Sequence, residues 1–186
     1  MQAEYRPQDM AWAVELADAL LTHFEDAERG GFFFTSHDHE TLIQRPKPGY
    51  DNALPSGNGV AALSLQRLGT LLGETRYLIA AERCVRVFYP QILQQPIAYP
   101  SLLAVLDEQL HPPRVIVLRG PAAEVGVWKV AVTPQLKKTD LLLSLPNGLV
   151  LPAALAKPES TSVTAWVCSG SSCLPPITDL PSLLAQ

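Results

Sequence analysis

Apolar residues recur at three- and four-residue spacing through the first part of the chain, a period typical of amphipathic helices. The first helical stretch begins near Pro7 and stops before Gly30 and Gly31, because adjacent glycines favour a chain reversal over another helical turn. A second stretch begins at Ser56, whose hydroxyl can cap the first turn, and ends at Gly73. The hydrophobic pattern therefore predicts an amphipathic helix on each side of a long connecting segment.

Two further helices are predicted before the double proline at 112 and 113. The longer one opens at Glu74 and meets Pro90, which should kink or end it. The shorter one runs from about Pro100 to Leu110. The positions expected to face inward on the second and third helices are apolar: Val60, Leu63, Leu68 and Leu71, and then Tyr77, Leu78, Ala81, Cys84, Val85 and Phe88.

An aromatic segment and a polar loop separate the first two helices. Residues 31–35 contain three consecutive phenylalanines, which predict a short strand. The segment that follows, as far as Pro55, has neither helical nor clear strand periodicity. Such long loops inside compact domains are usually either functional or disordered. The loop is therefore the first place to look for chemistry.

The pattern changes after Pro113. Ten of the seventeen prolines fall from Pro112 onward, a density that excludes long helices. The spacing between two predicted strands, at 115–118 and 141–145, is close to the minimum for a parallel βαβ crossover. The predicted elements are a strand at 115–118, a helix at 122–132, strands at 141–145 and 162–167, and a short helix at 180–184. We predict a mainly α protein in which helical hairpins (1–112) precede a small mixed α/β module (113–186).

Composition excludes several classes of protein. The net charge is −4 and the basic residues are scattered, so nothing resembles a nucleic-acid-binding surface. The longest apolar runs, such as Leu149–Ala156, fall far short of the roughly 18 residues of a membrane span. The N-terminus has no basic and apolar signal pattern. We expect a soluble, cytoplasmic protein that binds neither nucleic acid nor membrane and carries no cofactor.

Several short motifs occur in an order that suggests a family. They are Gly-Gly-Phe-Phe-Phe at 30–34, Asp38-His39-Glu40, Arg45-Pro46-Lys47, Pro55-Ser56-Gly57-Asn58, Ala81-Glu82-Arg83 and the spacing Cys168-x₄-Cys173. Over about residues 8–183 the chain resembles the C-terminal part of the YyaL-like, spermatogenesis-associated thioredoxin-domain proteins. Each motif alone is weakly specific, and their order carries the resemblance.

The resemblance implies a fold and a context. Members of that family are longer, with an N-terminal thioredoxin-like domain followed by a toroid of paired helices similar to six-hairpin glycosidases and N-acylglucosamine epimerases. The resemblance thus implies that this chain is a C-terminal piece, forming a partial α/α toroid followed by the α/β region. It implies no assigned activity. Any activity would be of the sugar epimerase or glycosidase type, and we expect the isolated chain to be inactive.

The Phe34–Asn58 loop carries the densest set of polar residues. We predict Asp51 as a carboxylate base and His39 as its proton partner, since sugar chemistry of this kind needs a general acid and base. The alternative is that these groups cap helices, bridge turns and face water. The predicted ligand-binding residues are Asp38, Glu40, Arg45, Lys47, Asn52, Ser56 and Asn58.

The same loop carries partial motifs for two other kinds of site. His37 and His39 would need a third ligand such as Asp51 to hold a metal, and we predict no metal site. Ser56 and the glycines after it resemble a phosphate-binding turn, but the P-loop lysine is missing and helix capping is the favoured role.

The three cysteines are too few for a disulfide framework. Cys84 lies in a helical stretch and is predicted to be a buried small hydrophobe. Cys168 and Cys173 flank a segment that can turn a hairpin and set the two side chains opposite each other. We predict two free thiols there that bridge under mild oxidant, a redox candidate, with structural packing as the alternative.

Two functional hypotheses follow. In the first, the chain contributes to a toroid that binds or processes a carbohydrate-like ligand near His39, Asp51 and Asn58. In the second, it is a non-catalytic interaction module that docks onto a separate thioredoxin-like partner. Hairpins taken from a toroid leave apolar flanks uncovered, so we also predict self-association or a partner burying at least ~1,000 Å².

Overall fold

The computed structural model describes residues 4–170 and 172–186. The described chain is mainly α-helical with one small four-stranded mixed sheet, which confirms the predicted class. In chain order the elements are α1 (Pro7–Phe24), α2 (Gly57–Leu72), α3 (Thr75–Gln94), α4 (Pro100–Leu110), β1 (Arg114–Gly120), α5 (Ala122–Val132), β2 (Leu141–Pro146), β3 (Thr164–Ser169), β4 (Ser172–Cys173) and α6 (Leu180–Leu184), with single 3₁₀ turns at Pro96–Ala98, Thr133–Gln135 and Ala153–Leu155.

The chain divides into two compact units. One, the helical unit, is Trp12–His111. The other, the sheet unit, is Pro112–Gln186 with the segment up to Ala11. None of the helices in the described part of the chain has both the length and the apolar character that crossing a bilayer requires.

Helix α2 has the ends that its sequence predicts. The side chain of Ser56 accepts a hydrogen bond from the backbone N–H of Gly59 at 3.0 Å, a standard N-cap contact. Gly73 closes the helix in the left-handed conformation, with φ of 67°, and its N–H donates to the carbonyl of Gly69. Both predicted caps are confirmed.

The buried face of α2 matches the prediction at Leu68 and Leu71 but differs in the first two turns. Val60 is 51 % exposed and Leu63 is half-buried, while Ala62 and Leu65 take the core positions. The reason is Gly59, where an added Cβ would lie 1.9 Å from the hydroxyl oxygen of Ser101. The first turn of α4 therefore packs directly on the Gly59 side of α2, which turns Val60 outward.

Helix α3 does not end at Pro90 but continues to Gln94. Pro90 lies on the exposed side of the helix, where water can bind the carbonyl that lost its intrahelical donor. The predicted inward positions are buried except Leu78, which is half-buried. Cys84 has no exposed surface, so its prediction as a buried residue is confirmed.

The predicted aromatic strand at 31–35 is wrong. Its pairing is a single bridge between Glu25 and Phe32. Gly30 and Gly31 both have positive φ, 84° and 75°, and form a tight reversal directly after α1. Residues two apart on a strand share one face, but Phe32 is 3 % exposed and Phe34 is 73 % exposed, so the segment lacks the alternation of a strand.

The sheet has the strand order β2-β1-β3-β4. Strands β1 and β2 are parallel and joined by α5, which confirms the predicted βαβ unit, whereas β1–β3 and β3–β4 are antiparallel. The core on one face of the sheet consists of Ile116, Leu118, Val125, Val132, Leu142, Val163, Ala165, Val167 and Leu183.

Candidate functional site

The loop that the sequence singled out is attached to the helical unit through Asn58. This residue lies in the first turn of α2 and is 2 % exposed. Its amide oxygen accepts from the N–H of Phe32 at 2.7 Å, and its amide nitrogen donates to the carbonyls of Phe32 and Pro48 at 2.9 Å each. Asn58 therefore fixes Phe32, just before the loop, and Pro48, within it, to one helix, and these contacts occupy the polar atoms predicted to bind ligand.

Asp51 connects the N-termini of two helices. One carboxylate oxygen accepts from the backbone N–H of Ser56, at 2.8 Å, and from the hydroxyl of Ser101. The other accepts from the backbone N–H of Ser101 at 2.7 Å. Ser56 is the N-cap of α2 and Ser101 lies in the first turn of α4, so the carboxylate sits where both helix dipoles favour negative charge.

These contacts determine the protonation of Asp51. Partial burial acts to raise the pKa of its carboxyl, but the hydrogen bonds from Ser101 and Ser56 outweigh burial and hold it below its usual value. A general base that works near neutral pH needs the opposite shift. The carboxylate of Asp51 is thus held ionised at neutral pH.

His39 and Asp51 have separate surroundings. His39 is exposed, and its Nδ1 lies 3.2 Å from the carbonyl oxygen of Glu40. The hydrogen bonds of Asp51 go to Ser56 and Ser101 instead. The assignment of these two residues as a catalytic pair stays a prediction, and the bonds that they make do not link them.

The remaining predicted ligand-binding residues of the loop are exposed to solvent or take part in a turn or a helix cap. Asp38 and Glu40 are exposed, and a hydrogen bond from the Ser36 side chain lowers the pKa of Asp38. The backbone N–H of Asn52 donates to the carbonyl of Leu54 in a turn, and Ser56 caps α2.

Lys47 ties the loop to the reversal after α1. Its Nζ lies 2.7 Å from a carboxylate oxygen of Asp26 and 3.0 Å from the carbonyl oxygen of Gly30. Burial acts to raise the pKa of Asp26, but the Lys47 ammonium and the N–H groups of Arg29 and Glu28 lower it below its ordinary value. The pair is largely shielded from water, so each charge depends on the other.

Arg45 and His37 form a second anchored group beside it. The guanidinium of Arg45 lies over the ring of Phe33, 4.0 Å from its centre, and donates to the carbonyl of Thr35. It also lies 3.0 Å from Nδ1 of His37, whose Nε2 is 3.0 Å from the carbonyl oxygen of Glu25. Because a guanidinium only donates and a carbonyl only accepts, the contacts require the neutral His37 tautomer with the proton on Nε2.

Together these groups line a polar pocket of about 500 Å³. Its predicted members are Arg45 and Lys47, and the pocket includes neither His39 nor Asp51. The full lining is Glu25, Asp26, Ala27, Glu28, Arg29, Phe33, His37, Arg45 and Lys47. Within the described residues, no group of three or more His, Cys, Asp or Glu side chains could hold a metal ion.

The sequence reasoning missed the acidic half of this pocket. Glu25 and Asp26 precede the double glycine, outside the loop searched for chemistry, and Arg83 of α3 binds the same reversal through the carbonyl of Ala27 at 2.6 Å. The available signal was the motif Ala81-Glu82-Arg83, which the family resemblance had already singled out.

A second concave surface lies on the helical unit. It is an apolar groove of about 550 Å³ between α3 and α4, which we call the α3–α4 groove. Its base and walls are mostly apolar, and Glu82 and Arg86 lie on its rim with an ion pair between them. The lining residues are Gln66, Leu78, Ile79, Glu82, Val85, Arg86, Tyr89, Leu106, Gln109 and Leu110.

The C-terminal cysteines are joined. Cys168 on β3 faces Cys173 on β4, their Cα atoms are 4.0 Å apart, and their sulfurs form a disulfide. The predicted hairpin is confirmed, and the prediction of two free thiols is wrong for this structure, because the antiparallel register places the side chains directly opposite each other. The redox role of the pair stays a prediction.

No family model matches the chain. It is similar to spermatogenesis-associated protein 20 from Rattus norvegicus, with 28 % identity over 144 residues, which is 77 % of this chain and 17 % of the relative. The protein of the same name from Homo sapiens is 26 % identical over 192 residues, covering 91 % of this chain and 23 % of the relative. The chain thus spans less than a quarter of the length of these curated relatives, and the similarity supports the resemblance seen in the sequence.

Proposed function

We propose that the chain is a non-catalytic interaction module whose helical unit binds an amphipathic helix in the α3–α4 groove. The single observation that carries this proposal is the groove itself, an apolar concavity of about 550 Å³ open at the surface of the unit. Grooves between helices bind the apolar face of a further helix through side chains at three- and four-residue spacing.

The exposure of the groove walls supports the proposal. Ile79 is 48 %, Tyr89 44 % and Leu110 66 % exposed. Single exposed apolar residues are ordinary, but these three line one concavity together with Leu78 and Leu106. Covering them with a helix would remove apolar surface from water without burying an unpaired charge, because Glu82 and Arg86 on the rim keep their own ion pair.

The length of the relatives supports an assembly role as well. This chain covers 17 % and 23 % of the rat and human proteins, so most of each relative lies outside the matched part. We propose that the helical unit corresponds to hairpins of an α/α-toroid-like assembly. The partners expected from the sequence are a separate thioredoxin-like polypeptide and a second copy of this chain.

The contacts of Asp51, a predicted catalytic residue, and of Asn58, a predicted ligand-binding residue, favour the interaction role over a catalytic one. Asp51 and Asn58 are occupied by helix capping and loop attachment, and both would have to abandon several hydrogen bonds to act on a substrate. A carboxyl group whose pKa is held below its usual value is a weak proton acceptor near neutral pH.

The direct test is binding of labelled helical peptides, measured by fluorescence anisotropy. The probes are a designed amphipathic 20-residue helix with leucines at heptad spacing and a scrambled peptide of the same composition. We expect micromolar binding of the first and none of the second. Leu106→Asp, which places a charge in the groove, should abolish binding, whereas Leu54→Asp, an exposed apolar site on the loop, should leave it unchanged.

Equal binding of the scrambled peptide, or binding insensitive to Leu106→Asp in a variant with an unchanged circular dichroism spectrum, would contradict the groove assignment.

The polar pocket favours a second candidate function, binding of a carbohydrate-like small molecule. Its volume of about 500 Å³ lies in the range of small-ligand sites, and it combines the cations Arg45 and Lys47 with the acceptor Glu25. Hexoses and hexose phosphates need such a mixture of donors and acceptors. Titration of glucose, N-acetylglucosamine and glucose 6-phosphate, followed by NMR shifts of the loop amides, tests it. Arg45→Gln should abolish the shifts, and the exposed Asp38→Asn should not.

A further inference from the structure

We propose that the helix bound in the α3–α4 groove is α3 of a second copy of this chain, packed antiparallel about a two-fold axis near residue 84. This inference rests on the proposed function and names its partner. It is carried by the spacing and the charge pattern of the exposed side of α3.

The exposed face of α3 has heptad spacing. The side chains at 75, 79, 82, 86, 89 and 93 are separated by alternating steps of four and three residues, and all are exposed. Within this stripe Ile79, Tyr89 and Leu93 are apolar, with Leu93 66 % exposed. Heptad spacing is what one helix needs to contact another along its whole length.

The charges of the stripe are complementary to themselves in one register. In an antiparallel pair, the a position of one helix meets a d position of the other. A two-fold axis near residue 84 then brings Ile79 opposite Tyr89 of the second copy and Glu82 opposite Arg86 of the second copy. Each contact occurs twice by symmetry. The same register pairs Thr75 with Leu93 and gives a contact about 27 Å long.

A parallel pairing loses this complementarity. It would place Glu82 beside Glu82 and Arg86 beside Arg86, two like-charge contacts at the centre of the interface. Glu82 and Arg86 already attract each other within one helix at i,i+4, with 54 % and 77 % of their side chains exposed. The same two side chains can therefore join an alternating four-charge cluster at the centre of the antiparallel pair.

The groove supplies the second contact for each helix. Leu106 and Leu110 of α4 form the wall opposite Ile79 and Tyr89. A helix seated there touches both α3 and α4, so two copies seated in each other's grooves place two α3–α4 pairs in a four-helix arrangement. The surface is small and carries charge at its centre, so we expect a dissociation constant on the order of 10 to 100 µM.

Sedimentation velocity between 5 and 500 µM tests association, and a charge swap tests its geometry. Glu82→Arg alone and Arg86→Glu alone should each weaken the dimer about tenfold, because each creates two repulsive contacts. The double variant Glu82→Arg/Arg86→Glu restores every pairing and should recover the dimer. Ile79→Lys should abolish it, while Val60→Lys, a matched control of similar exposure on α2, should not.

Cysteine cross-linking tests the register. Residues 79 and 89 face each other across the two-fold axis, so a mixture of the Ile79→Cys and Tyr89→Cys chains should form a disulfide-linked dimer under mild oxidation. Neither variant alone should do so. The internal control is Cys84, which is fully buried, and the remaining cysteines already form a disulfide.

A chain that remains monomeric at 500 µM overturns the inference, as does a double variant that stays as weak as the single ones or a cross-link formed by one variant alone. The peptide-binding test distinguishes failure of this inference from failure of the proposed function. If helical peptides bind the groove and the chain is monomeric, the groove is an interaction site for another partner. If neither peptides nor a second copy bind, both proposals fail.

Discussion

Replacement of Asp51 by alanine distinguishes a structural carboxylate from a catalytic one. The carboxylate accepts hydrogen bonds from the N–H of Ser56 at 2.8 Å, from the N–H of Ser101 at 2.7 Å and from the Ser101 hydroxyl. Loss of one helix cap costs about 1 kcal/mol, and hydrogen bonds to a charged group contribute about 1.5 to 3 kcal/mol each. Since water replaces part of these bonds in the half-exposed site, we expect Asp51→Ala to lower the free energy of unfolding by about 2 to 4 kcal/mol.

The effect should depend on pH in a defined direction. The hydrogen bonds from Ser101 and Ser56 hold the pKa of Asp51 below its ordinary value. A carboxyl whose pKa is lower in the folded state contributes stability that is complete above its unfolded pKa of about 3.9 and is lost as the pH falls toward the folded pKa. The difference between wild type and Asp51→Ala should therefore be largest at pH 6 to 7 and should shrink below pH 4.

The assay is urea unfolding followed by circular dichroism at 222 nm, at pH 7 and at pH 3. Asp51→Asn retains one acceptor oxygen and should fall between wild type and Asp51→Ala. Asp38→Ala is the matched control in the same loop, because Asp38 is exposed, and should change stability by less than about 0.5 kcal/mol at pH 7. A cost of Asp51→Ala no larger than that of Asp38→Ala, or a cost independent of pH, would refute the reasoning.

Three further predictions concern packing and the cysteines. Gly59→Ala should destabilise the helical unit by about 1 to 3 kcal/mol in the same assay, because its Cβ would lie 1.9 Å from the Ser101 hydroxyl oxygen. Gly57→Ala, where an added Cβ meets nothing within 4 Å, is the matched control, and an equal cost at both positions would contradict the steric argument. Burial raises the pKa of Cys84 to about 12, so its thiol should resist dithionitrobenzoate at pH 8 in the folded protein and react fully in urea; fast reaction without urea would contradict this. Replacing Cys168 and Cys173 by serine removes a short covalent loop and should lower the free energy of unfolding by about 2 kcal/mol. Hydrogen exchange should become faster only in the last strands of the sheet, and uniformly faster exchange would disprove a local role.

Local sequence signals were sufficient for most of the elements. Ser56 and Gly73 specify the ends of α2 through bonds made within a few residues of each other, so no distant information is needed. The bounds of α4 and α5 follow in the same way from prolines that precede or start each helix and from the apolar spacing inside it. The βαβ unit could be predicted from the sequence, because the segment between the two strands is long enough for a parallel crossover and contains a helical pattern.

Contacts between distant residues decided the rest. The rotation of α2 depends on Gly59 meeting Ser101, 42 residues away, and Val60 is therefore outside although its spacing places it inside. The role of Asp51 depends in the same way on Ser101. The two residues are far apart in the chain, so no local sequence pattern predicts that the carboxylate contacts the start of a second helix.

The polar loop separates what the sequence determines from what the tertiary structure determines. The sequence by itself determined that the segment between Phe34 and Asn58 is rich in polar residues, has no regular period and carries side chains able to act as acids, bases and ligands. Only the tertiary structure decided which of them meet, since Lys47 pairs with Asp26 and Arg45 with His37, while His39 stays at the surface. Hydrogen-bond partners of a loop are chosen by the fold around it, because a chain without regular structure has no internal period from which they could be derived.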